Sequence, residues 1–566
     1  MLDLIKRLPS LKVTTNNKHV YFHCSANVFI VVLACYYCLV INIPFIEGAF
    51  TAITALNSFS WLFLLSVPLL LMCLLVLFFS LLSTRWLLKP AAYILLVISS
   101  AALYGSVNYG VVFDYSMIQN TFETDGKEAM SYLNPQLIGF LMLFCAIPLF
   151  VLNKVKINFN RPHQELLSRS KLVAGCLVLI ALVVVNFYAD YAATGRNNRI
   201  LKKELIPFQY LTSSYKYIRD QWLYKDMPFK QLDTNPLLVK PSQTRVTVIM
   251  VGETARAENF SYQGYPRNTN QYTQPLGVHY FNNVASCGTA TAVSVPCMFS
   301  AQPQVAFSRR DTDNQQNILD LAQSAGADVL WIDNNSGCKE VCNRVTTINN
   351  EAIKTPNNAA FCQQAHCYDE ALIAPLRRKL ANLSHANTVI VLHMMGSHGP
   401  TYFQRYPEQF KQFTPTCDRS DIQNCSSTQL TNTYDNTIAY SDYVNSLAIA
   451  QLNALPDNIE KSFLYISDHG ESLGENGAYL HGFPYRFAPS GQTHVPLYIW
   501  ADHTNQGITN TCIAQANPTQ SLSHDNIFHT LVNLIGINTL TYQQNLDVLA
   551  HCQPITQLKH HSEVIL

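Results

Sequence analysis

Four short polar segments carry the side chains that could do chemistry, and each follows a run rich in β-branched residues. The segments are Gly252-Glu253-Thr254, Asp333-Asn334-Asn335, Met394-Met395-Gly396-Ser397-His398-Gly399 and Asp468-His469-Gly470-Glu471. Short β-branched runs are typical of buried strands. Because ligands bind beyond the carboxyl ends of parallel strands, the four segments predict one shared site.

Two carboxylates and an imidazole in this set suit a divalent metal ion. Glu253, Asp468 and His469 offer oxygen and nitrogen ligands that zinc accepts, and such a set leaves one coordination position open for chemistry. A cap or a turn would explain an Asp-His pair after a single strand. Glu253 at the end of a second strand makes a metal site the preferred interpretation.

The candidate nucleophile is a hydroxyl in the segment SCGTATAVSVPC (286–297). Small residues that lead into a helix place a hydroxyl at the helix N-terminus, where free N–H groups and the helix dipole favour an anion. A bridge between Cys287 and Cys297 would pin this loop. A threonine hydroxyl is a poor nucleophile until a metal or a base lowers its pKa, so a helix cap is the alternative for an isolated threonine.

The elements that must position these groups follow from the same pattern. The apolar runs RVTVIMV, DVLWI, TVIVLH and SFLYIS (245–251, 328–332, 388–393 and 462–467) alternate with helical patterns at 317–324 and about 433–455. Alternation of strands and helices predicts an α/β domain with a mostly parallel sheet flanked by helices. We place this domain at residues 241–566.

The composition predicts a membrane domain in the first third of the chain. Of the 566 residues 48% are hydrophobic and only 13% are charged, against roughly 25% charged in globular domains, which excludes an intrinsically disordered chain. With 38 basic and 37 acidic side chains, no overall field attracts nucleic acid. Five apolar segments approach the roughly 20 residues that a bilayer requires: 27–46, 59–82, 91–109, 136–152 and 172–189. We therefore predict five transmembrane helices in residues 1–190 and an amphipathic connector at 191–240.

Charge and cysteine usage predict the orientation. Lys and Arg cluster before the first span, after the second and after the fourth, whereas the opposite loops are acidic. The positive-inside rule then makes the N-terminus cytoplasmic and residues after the fifth span extracytoplasmic. Ten cysteines follow Ser286, which indicates disulfides in an oxidising compartment, since no CxxC pair occurs among these ten. The close pairs are Cys287/Cys297, Cys338/Cys342, Cys362/Cys367 and Cys417/Cys425, with Cys512/Cys552 as a candidate fifth.

On these motifs the chain resembles the phosphoethanolamine transferases of the alkaline phosphatase/sulfatase superfamily, in particular the lipid A enzymes and the mobile colistin-resistance enzymes. Three of the matching segments extend beyond those named above, to Asp333–Ser336, His393–Pro400 and Ser467–Asn476 (SDHGESLGEN). The resemblance covers nearly the whole chain. It implies a sulfatase-like catalytic domain with Thr291 as the nucleophile, and it implies that Zn²⁺ is held by Glu253, Thr291, Asp468 and His469.

The resemblance also assigns residues to the two substrates. It implies that the phosphoryl group and the leaving and entering oxygens are held by Asn335, Lys339, His398 and His481. In the loop after the third span, Asn120, Thr124 and Glu128 match positions that contact the donor lipid in relatives. These three residues recur every four positions, so one helical face would carry them all. A solvated amphipathic loop is the alternative.

The implied reaction transfers phosphoethanolamine from phosphatidylethanolamine to a lipid A phosphate through a covalent phosphoethanolamine-threonine intermediate. The resemblance also implies a monomer in the bacterial inner membrane with a periplasmic catalytic domain. The added amine would lower the negative surface charge and so confer resistance to polymyxin and other cationic peptides. Alternatives keep the chemistry but change the acceptor to a lipopolysaccharide core heptose, Kdo or a periplasmic glucan, or use a glycerol phosphate donor. A sulfatase lacks support because the Cys-x-Pro-x-Arg motif is absent. The alternative from another class is a non-catalytic membrane sensor that binds zinc structurally.

Overall fold

The chain forms two compact units in the computed structural model, which describes residues 12–16, 19–54, 60–124, 126–198, 200–220, 227–239, 244–354, 358, 360–363, 366–502 and 508–552. One unit comprises Met1–Tyr115 and Asn134–Tyr215, and the other comprises Ser116–Leu133 and Lys216–Leu566. The boundaries at residues 190 and 240 stay a prediction.

The first unit is mainly helical and apolar. Among the described residues, four helices are long and apolar enough to cross a bilayer, namely Trp61–Leu81, Leu88–Tyr109, Pro135–Lys154 and Pro162–Ala192. The helices Ala26–Ile41 and Ile43–Thr54 meet at 62° and would together make a fifth span. These five segments agree with the predicted apolar runs. Three short strands, Lys12–Asn16, His19–Ser25 and Val155–Asn158, form a small sheet beside them.

Asn42 lies at the bend of the first span and explains how the bend is tolerated. Its Nδ2 donates to the carbonyl oxygens of Tyr37 (2.9 Å) and Ile206 (2.7 Å), and its Oδ1 accepts the N–H of Ile206 at 2.9 Å. Backbone groups inside a bilayer must find partners within the protein. The Asn42 amide provides them, and it ties the segment after the last span to the first span.

A seven-stranded sheet forms the centre of the second unit, as far as its residues are described. Its strands, numbered along the chain, are β1 Thr244–Gly252, β2 His279–Phe281, β3 Asp328–Asp333, β4 Thr346–Ile348, β5 Asn387–His393, β6 Ile459–Ser467 and β7 Leu497–Ala501. Their spatial order is β2-β7-β6-β1-β5-β3-β4. Only β7 runs antiparallel to its neighbours among these strands. The predicted mostly parallel sheet is confirmed.

Helices flank this sheet. They include α1 Thr291–Met298, α2 Arg309–Asp313, α3 Ile318–Ser324, α4 Ile373–Leu380, α5 Ser427–Asn453 and α6 Asp525–Ile535. Capping boxes fix where two of them begin: Asn317 with Asp320 at α3, and Ser426 with Gln429 at α5. Residues of α1, α3 and α6 share one apolar core with the sheet. This core holds the strand ends in place.

Three strands of the sheet escaped prediction from the sequence. β2 and β4 have only three residues each, which is too short for a periodic pattern to emerge. β7 is a buried run of five residues, LYIWA, whose antiparallel pairing with β6 has no separate signature in the sequence. The four predicted runs became β1, β3, β5 and β6 because continuous apolar runs suit strands covered on both faces.

The ten cysteines after Ser286 form five disulfides in the described part of the chain. The pairs are Cys287–Cys297, Cys338–Cys342, Cys362–Cys367, Cys417–Cys425 and Cys512–Cys552. The cysteines of the helical first unit are free. The prediction that the ten cysteines after Ser286 form disulfides is thereby confirmed.

Candidate active site

The sheet brings the four polar segments to one edge. β6, β1, β5 and β3 are consecutive parallel neighbours, so their carboxyl ends lie side by side. In the pairing register, His393 of β5 lies opposite Val251 of β1 and Asp333 of β3, and Ser467 of β6 lies opposite Gly252. The residues that follow these strand ends therefore face a common space.

Thr291 meets this edge from the N-terminus of α1. It is the first helical residue, after an extended Ala290. Its Oγ1 lies 3.1 and 3.2 Å from the two carboxylate oxygens of Glu253 and 3.4 Å from Nε2 of His469. Free N–H groups at a helix N-terminus stabilise negative charge on a group bound there. The hydroxyl is thus placed where an oxyanion would be favoured.

Glu253, Asp468 and His469 form a fully buried set whose ligand atoms all lie within 4.8 Å of one another. His469 Nδ1 lies 2.9 Å from the carbonyl oxygen of Gly470, which can only accept, so Nδ1 carries the proton and Nε2 offers its lone pair. Two adjacent carboxylates without water repel each other unless a cation is present. The donor set therefore fits a divalent metal such as zinc, with Thr291 Oγ1 beside it.

The protonation tendencies of this set agree with that fit. Burial lowers the pKa of His469 to about 4, which keeps its ring neutral, as a metal ligand requires. Burial also raises the pKa of Asp468 to about 6, against the opposing effect of the N–H group of Thr254 and of His393. A bound cation would reverse the tendency of Asp468, because positive charge favours its ionised form.

Asn335 contacts the Glu253 carboxylate of this set, whereas the Lys339 amine contacts Ser336. Asn335 donates through Nδ2 to Glu253 Oε2 at 2.7 Å and to the carbonyl oxygen of Met394 at 2.8 Å. It therefore orients the carboxylate. Lys339 lies in the turn closed by the Cys338–Cys342 disulfide, has a left-handed backbone (φ 50°), and donates through Nζ to Ser336 Oγ at 3.1 Å.

The two candidate acid–base histidines lie together beside the metal set. The ring centres of His398 and His481 are 5.5 Å apart, and that of His481 is 4.4 Å from His469. His481 Nδ1 lies 3.3 Å from Oε1 of Glu471, whose Oε2 accepts the Tyr402 hydroxyl at 3.0 Å. Burial raises the pKa of Glu471 to about 8.

The predicted donor-lipid residues do not share one continuous helix. The helix Tyr115–Glu123 ends just before Thr124, and a second helix begins at Gly126. Asn120 and Thr124 are joined locally, because the carbonyl oxygen of Asn120 accepts both the N–H and the hydroxyl of Thr124. The side chain of Glu128 lies outside the described residues. The expected single helical face is therefore interrupted.

Sequence reasoning gave no role to three residues around the site. Glu471 was visible in the DHGE motif, but its pairing with Tyr402 and His481 depends on the fold. Arg309 binds carbonyl groups on two different segments. His524 connects the loop of Cys287 to Ser467: its Nδ1 accepts the Cys287 N–H at 3.1 Å, and its Nε2 donates to the Ser467 carbonyl oxygen at 3.0 Å. Partners on the backbone leave no sequence motif, so only Glu471 had a detectable signal.

Family models match both parts of the chain. The model described as Sulfatase matches residues 245–537, and the model described as Phosphoethanolamine transferase EptA/EptB matches residues 71–222. The first match covers the sheet and the strand-end residues of the site. The second match begins within the helix Trp61–Leu81 and ends at residue 222, about 30 residues after the last apolar helix.

Individual relatives extend this similarity over nearly the full length. Phosphoethanolamine transferase EptA of Escherichia coli (strain K12) is 40% identical over 539 residues, which are 94% of this chain and 97% of that protein. Phosphatidylethanolamine transferase Mcr-1 of Escherichia coli is 36% identical over 80% of this chain and 85% of its own length. The solved structure of the integral membrane protein lipooligosaccharide phosphoethanolamine transferase A from Neisseria meningitidis matches with a TM-score of 0.89 and 33% identity, covering 94% of this chain and 99% of that one.

Proposed function

This chain belongs to the phosphoethanolamine transferases of the alkaline phosphatase/sulfatase superfamily, and on that premise we propose that Thr291 carries phosphoethanolamine from phosphatidylethanolamine to a phosphate of lipid A. The observation that carries the proposal is the position of Thr291 Oγ1, 3.1 to 3.4 Å from Glu253 and His469 at a helix N-terminus. A non-catalytic sensor would not require a hydroxyl at that point.

In the first half-reaction, Thr291 Oγ1 attacks the phosphorus of the donor phosphodiester. A bond forms between Oγ1 and phosphorus, the bond to the diacylglycerol oxygen breaks, and phosphoethanolamine remains on the threonine. The N–H groups at the start of α1 stabilise the charge that develops on the phosphoryl oxygens. Diacylglycerol leaves with the proton that Thr291 gives up.

In the second half-reaction, a phosphate oxygen of lipid A attacks the same phosphorus and releases Thr291. His398 and His481 are the candidates to move protons, since imidazoles exchange protons near neutral pH. We assign to His481 the proton transfer to the departing diacylglycerol oxygen or to the returning threonine oxygen, because its ring lies next to that of His469. Asn335 and Lys339 are assigned to the surroundings of the phosphoryl group. Asn335 orients the Glu253 carboxylate there, and Lys339 contributes a positive charge.

Glu253, Thr291, Asp468 and His469 would hold Zn²⁺. When bound, the ion would supply a Lewis acid and would lower the pKa of the Thr291 hydroxyl. Metal analysis of the purified protein checks this assignment: we expect zinc in the wild type and a loss of most of it in Asp468→Asn. Full zinc occupancy in that variant would contradict the ligand set.

The proposed localisation follows from the substrates and the chain. Donor and acceptor are both lipids, and the apolar helices of the first unit suit an inner-membrane protein whose catalytic domain is periplasmic. Asn120, Thr124 and Glu128 are proposed to contact the donor. Adding an ethanolamine amine offsets negative charge on lipid A, so we expect weaker binding of polymyxin and other cationic peptides.

Labelled donor lipid tests the nucleophile directly. Purified full-length protein is incubated with phosphatidylethanolamine labelled in its acyl chains, and released diacylglycerol is measured. We expect Thr291→Ala to lower release by about 10³-fold or more, since the nucleophile and its partners act as a unit. The exposed Thr428→Ala is the matched control and keeps wild-type release. Normal release by Thr291→Ala, or no phosphoethanolamine mass on the peptide that contains Thr291, would overturn the proposal.

Mass spectrometry of lipopolysaccharide from cells that express the chain decides the acceptor. A phosphoethanolamine group on a lipid A phosphate is the expected result. An unmodified lipid A beside a modified core heptose or Kdo would support the alternative acceptor. Both outcomes require the wild-type chain and disappear with Thr291→Ala.

A further inference from the structure

The helix that presents Thr291 lacks one of its own hydrogen bonds. α1 contains Pro296, and proline has no backbone N–H to donate to the carbonyl oxygen four residues earlier. That carbonyl belongs to Ala292, the residue directly after Thr291. An unpaired buried carbonyl costs free energy and leaves the first turn of a helix less well fixed. The first turn of α1 is the one that must hold Thr291.

Arg309 supplies the missing donor. Its Nη1 lies 2.5 Å from the carbonyl oxygen of Ala292, and the side chain is only 7% exposed. The guanidinium comes from α2, which begins at Arg309, and Ser308 caps that helix by accepting the N–H of Asp311. An arginine fork is rigid and planar, so it fixes its acceptor in direction as well as in distance.

The same guanidinium holds the turn that carries Lys339. Nη2 of Arg309 donates to the carbonyl oxygen of Lys339 at 3.1 Å. Lys339 and Glu340 both have left-handed backbones, with φ of 50° and 72°. Such a conformation persists in non-glycine residues when surrounding contacts enforce it. Arg309 therefore joins the nucleophile helix and the Lys339 turn through two backbone carbonyls.

Acidic side chains compensate the buried charge of Arg309. Its Nε donates to both carboxylate oxygens of Asp313, at 2.7 and 2.9 Å. Oε2 of Glu123 lies 3.7 Å from Nη1 and thus adds a second negative charge from the segment Ser116–Leu133. Glu123 is itself held by Gln119, which donates to Oε1 at 2.9 Å. With its charge compensated, the guanidinium can remain buried and keep both carbonyl contacts.

We propose that Arg309 is a positioning residue for phosphoryl transfer, which replaces the hydrogen bond that Pro296 withholds from Ala292 and sets Thr291 against the Lys339 turn. The inference rests on the proposed function, because it assumes that Thr291 is the nucleophile. Arg309 does not touch the reacting atoms. Its effect is on the geometry of attack, where an error of about 1 Å can cost about 10²-fold in rate.

Three variants of the full-length protein test this role by diacylglycerol release from labelled phosphatidylethanolamine. We expect Arg309→Met to lower kcat by about 30-fold or more, with KM for the donor changed by less than about 3-fold. Arg309→Lys keeps the charge but loses the fork, so we expect a loss of about 10-fold in kcat. Pro296→Ala alone should remain within about 3-fold of the wild type, because it adds a donor without removing Arg309.

The double variant Arg309→Met with Pro296→Ala gives the readout that general destabilisation would not produce. The new N–H at position 296 can donate to Ala292 within the helix, so we expect kcat to recover at least about 5-fold over Arg309→Met alone. Absence of recovery would overturn the inference, as would a kcat for Arg309→Met within about 3-fold of the wild type. Arg378→Met, at an exposed arginine of α4, is the matched control. Inactive wild-type protein would instead count against the proposed function.

Discussion

Glu471 lies outside the predicted set of site residues, yet its contacts suit it to orient His481. It is fully buried, with one carboxylate oxygen 3.3 Å from Nδ1 of His481 and the other accepting the Tyr402 hydroxyl. A carboxyl group beside one ring nitrogen, whether protonated or ionised, selects the tautomer and the orientation of an imidazole, and therefore directs the other nitrogen. Glu471 would hold His481 in the position where it can exchange a proton with a substrate oxygen.

We expect Glu471→Gln to lower kcat for diacylglycerol release by roughly 10- to 100-fold, because a misoriented proton donor loses most of its contribution. Tyr402→Phe keeps the carboxylate and removes only the hydroxyl that orients it, so its loss should be smaller. Steady-state kinetics of the two variants beside His481→Gln provide the measurement. A Glu471→Gln variant with wild-type kcat would exclude this role. An additive loss in Glu471→Gln with His481→Gln would mean that the two residues act independently.

We expect His524 to make the stability of the folded chain depend on pH, through its contact with the loop that contains Thr291. Burial lowers the pKa of His524 to about 3, against about 6.5 for an exposed histidine. Its partners, the Cys287 N–H and the Ser467 carbonyl oxygen, require the neutral ring. As the pH falls below about 6.5, the unfolded chain binds a proton that the folded chain cannot. The folded state therefore loses up to about 1.4 kcal/mol for each pH unit.

His524→Gln should weaken that dependence, since glutamine can accept and donate in the same directions without titrating. We expect the thermal midpoint of the variant to fall less than that of the wild type between pH 7 and pH 5. At pH 7.5 the two proteins should differ little, which separates the titration from a packing defect. Equal falls in midpoint over that range would exclude His524 as the source. Thermal unfolding of the purified full-length protein provides the data.

At the scale of elements, the Cys287–Cys297 disulfide closes the segment that contains Thr291. The side chain of Gln304 donates a hydrogen bond to the carbonyl oxygen of Cys287 at 2.8 Å. A disulfide and a hydrogen bond therefore both restrain this loop. Closing a loop of this length stabilises a folded chain by about 3 kcal/mol in the chain-entropy description. The closed loop also presents the first turn of α1 to the carboxylates of the site.

We expect replacement of both cysteines by serine to lower stability by about 2–4 kcal/mol and diacylglycerol release by at least about 10-fold. The matched control replaces Cys362 and Cys367, a pair five residues apart that encloses none of the assigned site residues. The control should lose stability but little activity. Comparable losses of activity in the two variants would show that the Cys287–Cys297 bridge has no particular part in placing Thr291. Thermal unfolding and initial rates are measured on the same preparations.

The strands that could be predicted from the sequence are those whose burial requires a continuous run of apolar residues. β1, β3, β5 and β6 are covered on both faces and therefore read as continuous apolar runs, and the polar residues after them mark the site edge. β2 and β4 are three residues long and carry no such mark. The fourfold spacing of Asn120, Thr124 and Glu128 predicted one helix, but the helix ends at Glu123, because spacing alone does not reveal where a helix stops.

The residues that sequence reasoning missed share a physical cause. Arg309 and His524 act on backbone groups, and a backbone carbonyl or N–H has the same chemistry in every residue. No motif can encode such a partner, which exists only once distant segments are folded together. Side-chain sets such as Glu253, Asp468 and His469 are visible beforehand, because their residue types already state the chemistry.

At the scale of the whole molecule, the uneven distribution of basic residues bears on orientation in the membrane. Lys and Arg concentrate before the first span, after the second and after the fourth, while acidic residues prevail in the other loops. Basic residues are retained on the cytoplasmic side during insertion. If the bent pair Ala26–Ile41 and Ile43–Thr54 counts as one crossing, the chain crosses five times and the catalytic domain emerges on the opposite side from the N-terminus.

Reporter fusions test this orientation because alkaline phosphatase is active only where its disulfides can form. We expect a fusion after residue 160 to be inactive and a fusion after residue 223 to be active, since an odd number of crossings separates the first unit's N-terminus from the second position. A cytoplasmic reporter at the same two positions should give the opposite result. Activity at both positions would mean that the helix Pro162–Ala192 between them does not cross the membrane, and the reverse pattern would overturn the orientation. In that case the N-terminus would lie on the periplasmic side, and the basic loops would need another explanation.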